Sequence, residues 1–429
     1  MENRSHVLLN INELATKIRH KLEIMHPLSD ECCIYRVPDR LRQNDKAYTP
    51  RVVCIGPFHH AQKNLEAMEE HKFRYLQDFL QLSEINLEDY IKFVGENEDR
   101  LRNCYAENIK LNSYDFVKMI LLDAIFVIMI LLKFSFIELQ DKSDRVCNKP
   151  WLIRDIRFDL LLLENQIPFF VLEDLIMLSN IQMHLGKISI LKLVYELFKN
   201  IWDSWAMDYI LEIRNCSSNE IKHILDLIRK CQKPSELLQP HKDIEMLVIP
   251  SITELYQAGV KFRASSSKNI FDIKFRNGIL EIPRFAINDH TESVLRNLQA
   301  FEQCNCLDNY VGDYIALMAK LVNGSRDVEL LVENGITENG IAENGLQGNE
   351  AVAILFRNID KENILFSNKF YYLVLIEDLN VYCKTSWHKW KANLKQKYFN
   401  TPWAGISVIG AVILLLLTVI QTVCSLLQV

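Results

Sequence analysis

Phe116-Val-Lys-Met-Ile-Leu-Leu-Asp-Ala-Ile-Phe-Val-Ile-Met-Ile-Leu-Leu-Lys-Phe-Ser-Phe136 is the stretch on which the fold turns. Its apolar content suits either a membrane span or a buried helix. Lys118 and Asp123 interrupt it, and the longest pure run, Ala124 to Leu132, would reach only about 14 Å as a helix, too short to cross a bilayer. The stretch therefore reads as the central core helix of a folded body. A carboxylate at Asp123 is costly in such a place unless paired, and Lys118 or Arg157 is the expected partner.

On either side, apolar positions recur at helical spacing. Val7, Leu8, Ile11, Leu14, Ile18 and Leu22, closed by Pro27, form an N-terminal arm. Met68, Phe73, Leu76, Phe79 and Leu80 share a face, with Glu69, Glu70, Lys72 and Arg74 turned to water. Further helical patterns cover 185–198, 221–228, 252–258, 291–304, 310–322, 352–356 and 371–379. Two stretches break the pattern: Val52 to Ile55 precedes a Gly-Pro turn and reads as extended chain, and Phe271 to Ile282 alternates apolar and polar residues about Asn277-Gly278, a strong hairpin signal.

In Asp159-Leu-Leu-Leu-Leu-Glu-Asn-Gln-Ile-Pro168, proline cannot donate to a preceding turn. One helix should end near Asn165 and another begin near Pro168, with the polar cluster Glu164, Asn165 and Gln166 supplying caps to exposed amides. A tandem repeat, Glu333-Asn-Gly, Glu338-Asn-Gly and Glu343-Asn-Gly, has a period of five that suits neither a helix face nor a strand face, so it reads as a surface loop.

The C-terminal end differs in kind. From Ala404 to Leu427 no residue is charged, and about 36 Å of helix would span a bilayer, with Trp403 at the aromatic belt and Leu414 inside the span. Lys384, Lys389, Lys391, Lys395 and Lys397 precede it, so the positive-inside bias places the body in the cytosol. Trp387, Trp390, Leu394 and Tyr398 add an interfacial stripe with lysines opposite.

The expected fold is mainly α: a large helical globular body with a small β-hairpin element, plus one C-terminal transmembrane helix. Its expected parts are an N-terminal arm (1–30), a helical domain (31–380, with the repeat loop at 333–350), a basic juxtamembrane segment (381–403) and the span (404–427).

Composition narrows the function classes. The 429 residues carry 49 Lys and Arg against 55 Asp and Glu, a formal charge of −6, which gives no general attraction to nucleic acid. Eleven scattered cysteines fit reduced thiols in the cytosol better than a disulfide framework. The N-terminus shows no signal-peptide pattern. Asn3-Arg-Ser, Asn215-Cys-Ser and Asn323-Gly-Ser match the glycosylation pattern and would stay unmodified on a cytosolic body. His59, His60 and His71 with Glu69 and Glu70 match no zinc spacing, and neither Cys32-Cys33 nor Cys304-Asn-Cys306 has the two-residue gap of redox or zinc pairs. No phosphate-cradling loop, nucleophile elbow or His-Glu-x-x-His is present, so no catalytic, cofactor-binding or metal residue is assigned.

Several stretches together resemble one land-plant family, domain of unknown function 247, also known as the uncharacterised protein family 0481 type. They are Ile34-Tyr-Arg-Val-Pro38, Ile55-Gly-Pro-Phe-His-His60, Met68-Glu69 with Lys72 and Arg74-Tyr-Leu76, Asp159 to Phe170, Ala258-Gly-Val-Lys-Phe262, Glu281-Ile-Pro283, Arg296-Asn-Leu298, Ala300-Phe-Glu-Gln-Cys304 and Asp327-Val-Glu-Leu-Leu331. Their order and spacing, more than any one motif, carry the resemblance across almost the whole chain. It implies a plant protein with a single C-terminal span and no established enzymatic activity. Some grass members of the family are implicated in self versus non-self recognition of pollen. This chain departs from the family pattern at Asp123-Ala-Ile-Phe126, where Asp-Gly-Cys-Phe is common, at Met129 in place of a usual Glu, and at Ala61 where Gly is frequent. The expected role is a non-enzymatic, single-pass, tail-anchored protein at the plasma membrane or an endomembrane that binds another protein, without cofactor or nucleic acid. The alternatives are an unrecognised membrane-associated enzyme with a site around His59-His60 and Asp159 to Phe170, and a receptor-like protein with an extracellular body.

Overall fold

Helix α5 of the computed structural model, Ser113–Ser135, takes in the central apolar stretch almost to its last residue. The Asn112 side chain starts it by accepting from the Asp115 N–H at 2.9 Å. Residues 124 to 132 are all at most 1% exposed, as expected of a helix that is apolar all round and packed on every side. The structure describes residues 11–23, 29–60, 62, 65–181, 189–198, 220–234, 248–267, 269–306, 308–339, 345–364, 370–384, 410 and 413–423.

Before α5 come α1 (Ile11–Glu23), α2 (Glu66–Leu82), α3 (Leu87–Glu96) and α4 (Glu98–Asn103). After it come α6 (Pro150–Asp159), α7 (Phe169–Leu178), α8 (Ile190–Phe198), α9 (Ile224–Cys231) and α10 (Ile252–Gln257). Helices α2, α3, α7 and α8 pack around α5 and supply its burial. Two cations on α5 are held at the margin of this layer. Lys133 pairs with Asp78 at 2.7 Å and Asp144 at 2.8 Å, whereas Lys118 lies over the Phe73 ring at 5.5 Å.

A small sheet follows, built from β1 (Lys261–Ser265), β2 (Lys274–Arg276) and β3 (Ile279–Pro283). The expected hairpin is present. Strands β2 and β3 pair antiparallel with Arg276 opposite Ile279, and Asn277 and Gly278 both take positive φ, at 51° and 74°, as a primed two-residue turn demands. Strand β1 joins on the far side of β3 in parallel, giving the order β1-β3-β2. That pairing had no sequence signal, because a parallel partner is set by the chain's route and not by a turn.

The chain continues with β4 (Phe285–Ile287), α11 (Thr291–Asn305), α12 (Tyr310–Leu321), α13 (Ser325–Glu333), β5 (Thr337–Asn339), α14 (Gly345–Asp360) and α15 (Leu373–Lys384). Strand β5 corrects the reading of the Glu-Asn-Gly repeat as surface loop throughout. The first copy is built into the body, because β5 pairs in parallel with β4 and Ile336 and Thr337 are buried. The period of five cannot repeat that arrangement, and the next copy lies largely outside the described residues. One hydrophobic cluster runs from Cys33 to Leu379, joining both halves of the body in a single core.

Half of the expected span, 404–427, falls outside the described residues. Of it, Ile413 to Val423 is helical with exposed side chains, among them Leu414 at 66%. Among the described residues no helix is long and apolar enough to cross a membrane. Trp403, Ala404, Leu427, most of the juxtamembrane segment and the arm before Ile11 lie outside the described residues.

Candidate functional site

Residues 51–56 and 160–167 run without helix or sheet beneath the core helix, so their backbone groups need other partners. Buried side chains provide them. The Asp159 carboxylate, at the end of α6, accepts from the N–H groups of Arg51 (2.9 Å), Val52 (2.7 Å) and Val53 (2.9 Å). Burial pushes that carboxyl up to about 6 against the pull of the three amides. Asn165 accepts from the Ile55 N–H at 2.7 Å and donates to Val53 O at 3.0 Å and Asp159 O at 2.9 Å. Gln166 Nε2 donates to Leu160 O and Leu162 O at 2.7 and 2.8 Å.

This revises the expected capping. Helix α6 ends at Asp159, six residues earlier than Asn165, and α7 begins after Pro168 with no side-chain cap. Asn165 and Gln166 serve carbonyl groups released at the end of α6, and Asn165 also serves the neighbouring chain. Asn165 fastens the two loops together, whereas Gln166 braces its own loop and accepts from the Leu225 N–H at 3.4 Å in the first turn of α9, a helix other than the expected one.

Glu164 is the convergence point. Its side chain is wholly buried, and it accepts from the Val37 N–H at 2.7 Å and from Arg42. His59 Nε2 stands 3.1 Å and Arg36 Nη1 3.5 Å from its second oxygen. Arg36 also lies over the Phe58 ring at 4.8 Å and reaches Glu107 at 3.1 Å on the surface. Burial pushes the Glu164 carboxyl up, but the bonds from His59, Arg42 and Val37 outweigh it and hold the group below its usual range. Three of the stretches that carried the family resemblance, around Arg36, His59 and Glu164, thus meet at one carboxylate.

A second centre lies beside it. Asp123 is paired neither with Lys118 nor with Arg157, as expected from sequence, but with Lys72 at 2.6 Å, and it accepts from the Gly56 N–H at 2.7 Å. Arg157 instead packs over the Phe134 ring at 4.3 Å. Lys72 further donates to Cys54 O at 2.7 Å and Glu69 at 2.5 Å. Lys72, assigned to the water-facing side of its helix, is 1% exposed. An amphipathic pattern cannot show that a cation on the polar face has been drawn inward by a carboxylate on another helix.

Two more buried ion pairs join the later helices. Arg229 holds Glu302 at 2.7 Å and Asp308 at 2.5 Å, while Glu302 accepts from the N–H groups of Val311 (3.0 Å) and Gly312 (2.9 Å) at the start of α12. Arg296 pairs with Glu362, which also meets Tyr48 at 3.2 Å. Neighbouring Asn297 accepts from the Leu163 N–H at 2.8 Å and donates to Ala47 O at 2.7 Å. Arg229, Glu302 and Glu362 were missed as polar core residues; only the Phe301-Glu-Gln run within an apolar helix hinted at Glu302.

The chemistry open to these groups is narrow. A carboxylate held low is a weak general base; His59 Nδ1 bonds to Gln62 at 2.9 Å, and its Nε2 faces Glu164 Oε2 at 3.1 Å without hydrogen-bond alignment. His60 points to solvent, Glu70 pairs with Arg74 at 2.6 Å, and Glu69 with Lys72. Among the described residues no three His, Cys, Asp or Glu side chains are grouped to hold a metal ion. Cys32, Cys33, Cys304 and Cys306 are free thiols.

Comparison with known proteins agrees with this pattern of motifs. A family model, DUF247, described as plant protein of unknown function, matches residues 34–417. The chain is 31% identical to the UPF0481 protein At3g47200 of Arabidopsis thaliana over 93% of its own length and 87% of that protein's. It is 24% identical to the putative UPF0481 protein At3g02645 of the same plant, over 90% of this chain and 89% of the other. No solved structure matches the chain.

Proposed function

We propose a protein-recognition role for this chain, which belongs to the DUF247 family of plant proteins of unknown function. In this reading a helical body, held at a membrane by its C-terminal tail, binds a protein partner and performs no chemistry of its own. The observation that carries it is Glu164. The motif residues best suited to acid–base work converge there and brace the fold, with the His59 and Glu164 side chains enclosed and only the arginines, Arg36 more than Arg42, reaching solvent.

The tail is read as an anchor because every residue from Ile413 to Val423 leaves its side chain exposed, including a run of leucines that none of the described residues covers. Lipid is the covering such a surface calls for. The lysines between 384 and 397 favour a cytosolic body. Protein that alkaline carbonate strips from plant membranes would end the anchor reading, and glycan on Asn323 would move the body to the outside.

The recognition reading is tested by proximity labelling from the full-length protein in plant membranes. It expects one partner recovered in near-equal amount from repeated preparations, and fails if none rises above a tail-only control. The enzyme alternative rests on the His59–Glu164 pair at 3.1 Å. It gains only if His59→Gln abolishes the protein's biological effect while leaving its thermal unfolding and membrane level unchanged.

A further inference from the structure

Helix α1 spans thirteen residues, and its apolar side chains meet solvent: Ile11 is 72% exposed, Leu14 44%, Ile18 50% and Leu22 62%. None belongs to the core cluster or packs against it. At about 100° per residue these four and Ala15 fall within an arc of about 100°, one continuous stripe. A helix this short is marginal in water unless something covers its apolar face.

The charges bordering the stripe say what covers it. Lys21 falls along one edge and Arg19 along the other, while the acidic positions 13 and 23 and His20 fall on the far side, and Lys17, between Lys21 and Glu13, pairs with Glu13 at 2.6 Å. Cations at the edges of an apolar stripe can lay their methylene stems along it and lift their charges to a plane of anionic headgroups. A second copy fits poorly. The apolar seam it could use, Ile11, Ala15, Ile18 and Leu22, is under two heptads long, has a small alanine inside it and leaves Leu14 to one side.

We propose that α1 is a lipid-binding helix that lies in the plane of an anionic membrane surface. It is an attachment point separate from the C-terminal tail, at the other end of the chain. An anchored body touching the bilayer through α1 would be held in one orientation instead of swinging on a single tether.

Amide hydrogen exchange on the full-length protein in vesicles tests this. With phosphatidylserine mixed into phosphatidylcholine, amides 11–23 should exchange about tenfold more slowly than in phosphatidylcholine alone. Leu14→Glu with Ile18→Glu, or Lys17→Glu with Arg19→Glu and Lys21→Glu, should abolish the difference without altering carbonate-resistant integration. Equal exchange in the two vesicles overturns the proposal. So does protection that grows with protein density and comes with crosslinks between copies at 11–23, which would assign the stripe to a second copy. Carbonate resistance reports the tail separately: protein that is stripped, yet protected at 11–23 on anionic vesicles, sinks the anchor reading and leaves this one standing.

Discussion

Lys72 and Asp123 meet at 2.6 Å with their side chains 1% and 2% exposed, joining α2 to the middle of the core helix. Burial pulls the lysine down, but the Asp123 and Glu69 carboxylates outweigh it and hold the ammonium above its ordinary value. The pair is a charged link placed where the chain could have used two apolar side chains.

Removing one partner should therefore cost far more than removing both. Lys72→Met leaves Asp123 buried without its cation and should destabilise the body by about 3–5 kcal/mol. Lys72→Met combined with Asp123→Leu removes both charges and should recover more than half of that loss. Urea unfolding of the full-length protein in detergent measures it. Equal losses for the single and double variants would mean that the link contributes nothing beyond packing.

The Glu164 centre predicts an acid limb. A carboxyl held low in the fold contributes stability that is present above its unfolded pKa, near 4.5, and is lost as pH falls through the lower folded value. Glu164→Gln keeps the shape but forfeits the ionic bond to Arg42. It should cost on the order of 2–4 kcal/mol at pH 7, and the deficit should narrow in acid. Thermal unfolding from pH 7 to 3 checks both; a deficit constant across that range would show that charge is not the cause.

What could be read in the sequence follows from how local each signal is. The core helix was legible within three residues at its start because the apolar run is nearly continuous, and the hairpin because Asn277-Gly278 fixes its own turn. The partner of Asp123 was not legible, since it comes from another helix and an amphipathic pattern assigned Lys72 to water. Nor was the role of Asn165 and Gln166: proline placed the start of α7 correctly, but nothing local says that the preceding chain leaves the helix at Asp159 to bind residues 51–55. The parallel pairings β1–β3 and β4–β5 depend on the path of the whole chain.

Asp313 sets an opposite dependence on pH. It accepts from the Tyr371 N–H at 2.6 Å, ahead of α15, and no cation pairs with it among the described residues, so burial pushes its carboxyl up to about 7 against the pull of Tyr371 and Asn309. A raised carboxyl contributes stability fully present below about pH 4 and lost as pH rises through 7. Asp313→Asn can still accept from Tyr371 and does not ionise. The variant should match the parent below about pH 4, gain on it steadily from there to pH 7, and exceed it at pH 8 by roughly 2–4 kcal/mol. Glu302, also pushed up to about 7, keeps its share of the slope in both proteins, and His223 and His290, pushed down to about 4 by burial, act in acid on both. A parent and variant with parallel profiles from pH 5 to 8 would reject the assignment.

Gly56 ties the two buried centres together, and alanine there should be among the most damaging of small changes. Its φ is +78°, a conformation side chains rarely adopt, and an added Cβ would stand 2.6 Å from the Gln166 carbonyl oxygen, a backbone atom with no room to withdraw. Its N–H also donates to Asp123, so any shift that relieves the contact stretches that bond. Gly335 supplies the control: its φ is +65°, yet nothing lies within 4 Å of the position a Cβ would take. Gly335→Ala should cost about 1 kcal/mol, the conformational penalty alone. Gly56→Ala should cost about 3 kcal/mol or more, because strain, overlap and a weakened buried hydrogen bond act together. Urea midpoints of the two variants, compared at equal slope, decide it, and similar losses at both positions would show that residues 51–56 can move away from 160–167 at little cost.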